Sequence, residues 1–103
     1  MISITNNNKF LEIKGHAHEG EGLPTKEEVE ACSGVTALVH ALIASMATIT
    51  HTEPEFEFRR GYFKVMKSGL TEKDLLFIDM FMAGVDMLTS VYGDYINEMT
   101  DQA

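Results

Sequence analysis

The chain of 103 residues contains one cysteine, Cys32, and four histidines, His16, His18, His40 and His51. A thiol becomes a nucleophile when it is accessible, has a base within reach and sits where positive charge favours the thiolate. His16 and His18 bracket Ala17 at the end of an extended segment and are the two candidates for that base. In an extended chain, residues two apart face the same side, so alternation does not choose between them. The competing role for Cys32 is that of a small buried hydrophobe on an apolar helical stripe. For the two histidines it is that of solvated loop residues. His40 lies in an apolar helical segment and reads as a core histidine; His51 follows in a Thr-rich loop. His16, His18 and Cys32 could also ligate zinc, but a structural site takes four ligands and no second cysteine is present, so no metal is expected. No phosphate-binding glycine loop, nucleophile elbow or calcium loop occurs, and no cofactor is implied.

Positioning these groups falls to four strands and two helices. Asn6-Asn7-Asn8 is turn chemistry, and Leu11 and Ile13 alternate after it, which predicts a hairpin from Met1 to about Ala17. Gly20, Gly22 and Pro24 make residues 18–24 a loop. Thr25-Lys26-Glu27-Glu28 matches a capping box. The helix that follows is apolar over most of its circumference and is expected to be buried all round. If it starts at Thr25, Cys32 lies past its first turn; a start nearer Glu30 would place the thiol within reach of the helix dipole. Both starts remain open. Glu55 to Arg59 alternates with Phe56 and Phe58 on the inner face, Gly61 turns the chain, and Phe63 and Val65 continue a second hairpin. Thr71 caps a last helix whose spacing runs from Leu75 to Met99. The expected fold is α+β, ββαββα, with a four-stranded antiparallel sheet and two helices in a single domain over residues 1–103.

The formal charge of −8 speaks against nucleic acid or an anionic membrane as the partner, since phosphate binding needs a basic face. It favours encounter with a basic protein or peptide. Residues 35–49, the longest apolar stretch, fall short of the ~20 needed to span a bilayer. The first residues lack the basic start and apolar run of a signal peptide, and a lone cysteine forms no internal disulfide. The reading is a soluble cytoplasmic protein.

Gly15-His16-Ala17-His18-Glu19-Gly20 and, after a short loop, Ala31-Cys32-Ser33-Gly34-Val35-Thr36-Ala37-Leu38 resemble the two signature segments of the Prp family of ribosomal-processing cysteine proteases. Those segments are Gly-His-Ala at a strand end, a flexible glycine-containing loop, and a cysteine followed four residues later by Ser or Thr. Gly61-Tyr62-Phe63-Lys64-Val65 is similar to the family's third-to-fourth strand turn, and Met82 to Tyr95 to its last helix. The chain departs from the pattern before the cysteine, where Val29-Glu30-Ala31 replaces Asp-Ile-Val.

The resemblance implies a ββαββα homodimer with a Cys/His dyad. The activity it implies is removal of an N-terminal extension from a ribosomal protein, or processing of a phage structural protein. Carried over by position, Cys32 is the nucleophile and His16 the base. His18, Glu19, Gly20, Gly22, Ser33 and Gly34 are expected to line the substrate, Gly34 by permitting close approach. Amides near the helix start are expected to hold the oxyanion. Glu19, Glu21, Glu27, Glu28 and Glu30 suit a basic peptide but oppose a thiolate. The alternative is a catalytically inactive relative that binds a ribosomal or phage protein without cutting it.

Overall fold

The computed structural model describes residues 1–99, so the expected domain boundary at residue 103 lies outside the described residues. Strands β1 (Ile2–Asn6) and β2 (Phe10–Lys14) pair antiparallel. Their turn is held by Asn7, whose Oδ1 accepts from the amides of Lys9 at 2.8 Å and Phe10 at 2.9 Å. Helix α1 (Lys26–Thr48) opens on the capping box: Thr25 Oγ1 accepts from the Glu28 amide, and Glu28 accepts from the Thr25 amide at 2.7 Å. That settles the helix start at Lys26 and removes the alternative near Glu30. Strands β3 (Phe56–Arg59) and β4 (Tyr62–Met66) form the second hairpin around Arg60-Gly61, with Gly61 at φ +73°, which glycine adopts without strain. Helix α2 (Glu72–Tyr92), capped by Thr71, leads to a short strand β5 (Ile96–Met99).

The sheet therefore differs from the expected four-stranded antiparallel one. It has five strands in the order β3-β4-β2-β1-β5, and β5 runs parallel to β1 with Ile96 opposite Ile2. Ile96 and Met99 continue the helical spacing of α2, which is why periodicity alone extends the helix to them. The helix instead stops at Tyr92, with Gly93, a poor helix former, at its cap. Ile96 is buried against the sheet's inner face. A parallel pair needs a crossover, and α2 provides it.

Both helices lie on one face of the sheet. Ile2, Ile4, Leu11, Ile13, Phe63, Val65 and Ile96 point inward and meet Ala31, Val35, Val39, Leu42 and Met46 of α1 and Ile78, Phe81 and Val85 of α2. Helix α1 is thus buried along one stripe and not all round, because a single sheet and one neighbouring helix cover only part of its circumference. Both helices are long and apolar enough to cross a membrane by length and composition; here each lays its buried stripe on the sheet. They run antiparallel through reciprocal notches: a Cβ at Gly34 would come 2.8 Å from Leu88 Cδ2, and one at Gly84 would come 2.8 Å from Leu38 Cδ2. Phe56 and Phe58 do share the inner face with Val65 and Phe63. They remain 47% and 43% exposed, however, because β3 is an edge strand beyond the helices' cover. His40 is exposed and not in the core; its ring sits 5.4 Å from that of Phe58.

Asp74, in the first turn of α2, is completely buried. It accepts from Thr50 Oγ1 at 2.5 Å, Thr52 Oγ1 at 2.7 Å and the Thr71 amide at 3.0 Å, tying α2 to the loop that leaves α1. Burial pushes its pKa up, but the donors from Thr50, Thr71 and Thr52 prevail and hold it at about 2. Asp74→Ala should lower the unfolding free energy by about 3 kcal/mol in urea titration, through the lost cap and the orphaned hydroxyls. The folded pKa lies below the ordinary 3.8, so the ionised form's contribution is complete above that value and fades as pH falls toward about 2. The stability gap between wild type and Asp74→Asn should therefore narrow on acidification through that window.

Candidate active site

Beyond Lys14 the chain turns out of the sheet at Gly15, whose φ is +94° and whose missing side chain would strike the Met1 carbonyl. The Gly15 amide donates to the Gly61 carbonyl at 2.9 Å, which locks the end of β2 to the tip of the second hairpin. The imidazole of His16 lies against that tip, since a Cβ on Gly61 would come 2.6 Å from its Nε2. The His16 carbonyl accepts from the Met1 ammonium at 2.6 Å, but among the described residues its ring nitrogens have no hydrogen-bond partner. One residue later, the buried Ala17 donates its amide to Cys32 Sγ at 3.4 Å. The sulfur of α1 therefore sits directly beside the end of β2.

Cys32 is half-buried and is the seventh residue of α1, well past the first turn. The helix dipole does little for it there. Its own amide is used within the helix, and the helix start, whose amides were expected to hold an oxyanion, lies at Lys26, more than a turn before the sulfur. The nearby carboxylates each have a partner. Glu28 accepts from Thr25 and faces His18 Nδ1 at 3.2 Å; the Thr25 amide holds its carboxyl below the ordinary range. Glu30 accepts from Tyr92 Oη and faces Lys26 Nζ at 3.8 Å. Glu19 pairs with the Met1 ammonium.

Two cavities, of about 460 and 450 Å³, share a wall made of His16, Cys32 and Arg60. The larger is mainly apolar, lined by Ile2, Ile13, Val35, Val39, Phe58 and Phe63 among others. The smaller adds His18, Pro24, Glu28, Val29 and Ser33.

The expected site residues thus divide. His16, His18, Cys32 and Ser33 open onto the cavities. His18 is engaged at both nitrogens, with Nε2 3.1 Å from the Gly22 carbonyl, and so clamps the loop to α1. Gly20 and Gly22, at φ +97° and +93°, shape the exposed loop and line neither cavity. Gly34 is a helix-packing notch against Leu88 and not a surface for substrate approach. Arg60 escaped notice in the sequence, where an Arg-Arg-Gly turn looks like any solvated hairpin tip. Among the described residues no three His, Cys, Asp or Glu side chains converge as metal ligands.

A half-buried thiol and an exposed imidazole that line the same two cavities, on a two-layer α+β frame, have the makeup of a thiol hydrolase. The family model for the cysteine protease Prp matches residues 1–97, and the chain belongs to that family. The ribosomal processing protease Prp from S. aureus, solved with a covalently linked product peptide, has the same fold. The TM-score is 0.80 at 16% identity, over 98% of this chain and 100% of that one. With a substrate peptide, that protease again gives a TM-score of 0.80 at 16% identity, over 97% of each chain. A Streptococcus mutans protein matches with a TM-score of 0.71 at 21% identity, over 97% of this chain and 93% of its own. No curated protein matches the sequence.

Gly61 is where the frame touches the imidazole. Gly61→Ala should shift the His16 ring resonances in NMR while leaving the far-UV dichroism intact. The melting temperature should fall by about 5 °C, as a strain of about 1 kcal/mol gives in a domain of this size.

Proposed function

We propose that the chain is an endopeptidase in which Cys32 is the nucleophile and His16 the general base. What supports this is one thiol and one unengaged imidazole on the wall common to two adjoining cavities, the arrangement an extended peptide needs to lie across the sulfur. His16 takes the thiol proton, and Sγ attacks the scissile carbonyl carbon. The tetrahedral adduct collapses as His16 returns the proton to the leaving amine, giving a thioester; water, deprotonated by the same ring, then releases the acid. The Ala17 amide donates to Sγ and holds it beside the end of β2. The apolar cavity suits a hydrophobic side chain next to the scissile bond.

The substrate in this reading is a short N-terminal extension on a ribosomal protein, or on a phage structural protein, cleaved in the cytoplasm; membership of the Prp family supports a peptide substrate. The net charge of −8 helps steer a basic partner toward the protein. Incubation with N-terminally extended ribosomal proteins, with new ends read by mass spectrometry, should yield one cut. Cys32→Ala should reduce it to background, and His16→Ala should slow it by about 10²- to 10⁴-fold. His18→Ala, which loosens only the loop clamp, should cost less than about tenfold. Equal cutting by Cys32→Ala and wild type would overturn the assignment, and a reversed order of the two histidines would move the base to His18. Binding of the partner without cleavage would mark the chain as an inactive relative.

The homodimer belongs to the same proposal. Leu76, Met80, Met87 and Val91 form an apolar stripe on the outer face of α2 and are 56%, 64%, 71% and 70% exposed. Sedimentation should give a dimer at micromolar concentration, converted to monomer by Met80→Asp with Met87→Asp. A wild-type monomer at that concentration would rule it out.

A further inference from the structure

We infer that His18 is a positioning residue whose protonated ring fastens residues 18–24 beside the smaller cavity of Cys32, a hold that loosens as pH rises through the imidazole range. The inference goes beyond the peptidase reading and concerns what keeps this loop in place. Among the described residues, no backbone–backbone hydrogen bond involves residues 18–24. Three polar contacts hold them instead. Glu19 meets the Met1 ammonium, His18 Nδ1 lies 3.2 Å from Glu28 Oε2, and His18 Nε2 lies 3.1 Å from the Gly22 carbonyl. Leu23 is 92% exposed, so no large apolar side chain anchors the segment. Gly20 and Gly22 give it backbone freedom to regain on release. One ring thus supplies two of the three ties.

Both partners of that ring are oxygens that only accept: an ionised carboxylate and a carbonyl. A neutral imidazole carries one N–H, so either tautomer sets a nitrogen lone pair against an oxygen. The imidazolium donates at both ends. The Thr25 amide holds the Glu28 carboxyl below the ordinary range, so it stays ionised wherever imidazole titrates. Glu28 faces the ring from α1, and Glu19, beside it in the loop, is paired with the Met1 ammonium. The other titratable or charged residues of the same cavity are His16, Cys32 and Arg60. His18 and Pro24 at the two ends of the loop line that cavity with Cys32. Releasing the clamp therefore widens one approach to the sulfur, and acidification restores it.

The lone thiol lets the clamp be read directly. The ratio of Cys32 alkylation rates by a bulky and a small maleimide cancels thiol ionisation and reports access alone. In the full chain this ratio should rise about two- to fivefold from about pH 5.5 to about pH 8, the range an exposed ion pair allows. His18→Gln, which does not titrate, should give the same ratio at both pH values, at or above the alkaline value of wild type. Glu28→Gln keeps a capping box and should flatten the rise. A constant ratio in wild type, or a rise that persists in His18→Gln, would overturn the inference. Amide order parameters provide a second measurement. Those of Gly20, Gly22 and Leu23 should fall from about 0.85 toward about 0.6 over the same change, with a midpoint at the His18 ring titration. A midpoint that tracks the His16 ring instead would refute the role of His18. Neither measurement needs turnover: a chain that cuts nothing yet shows the pH response sinks the peptidase reading alone.

Discussion

Two backbone amides at the end of β2 hold the site together. That of Gly15 donates to Gly61 and fastens the strand to the second hairpin; that of Ala17 donates to Cys32 and fastens it to α1. His16 lies between them, so its position is set by three elements at once: a strand end, a hairpin tip and a helix. Each contact is short-range and directional, and a backbone amide has no rotamer to lose. The two glycines make the approach feasible, since both stand at positive φ and a side chain on either would meet another group. The histidine is held from outside, and among the described residues its ring nitrogens have no hydrogen-bond partner.

The second organising constraint is charge. An acidic chain is a poor host for a thiolate, because like charges raise the cost of ionisation. Here the acids around the helix start are each committed elsewhere: Glu28 to the cap and His18, Glu30 to Tyr92 and Lys26, Glu19 to the Met1 ammonium. What contacts the sulfur is the Ala17 amide. The same capping box that starts α1 also ties down a carboxylate that lines the smaller cavity with Cys32, so one local motif serves both helix and site.

The helices are coupled by shape. Leucines enter glycine notches in both directions, Leu88 at Gly34 and Leu38 at Gly84, so the axes approach closely along the stretch that follows Cys32. At the other end of α1, the buried carboxylate of Asp74 gathers the threonines of the connecting loop. Packing at one end and hydrogen bonding at the other fix how α1 lies on the sheet, and hence where its sulfur emerges.

Much was legible in the sequence, because it was local. The hairpins at Asn7 and Gly61, the caps at Thr25 and Thr71 and the alternation of Leu11 with Ile13 all follow from neighbours a few residues apart. The signature segments around His16 and Cys32 named the family for the same reason. What tertiary structure alone decided depends on distant residues meeting. A helical period cannot distinguish Ile96 on α2 from Ile96 on a strand beside Ile2, since only the partner tells the two apart. Gly34 looked like room for a peptide until Leu88 filled it. Arg60 gained its place because β2, α1 and a hairpin tip converge forty-four residues from His16 in the chain. Local chemistry writes the elements; contact between residues far apart in sequence places the cavities and the charges that face them.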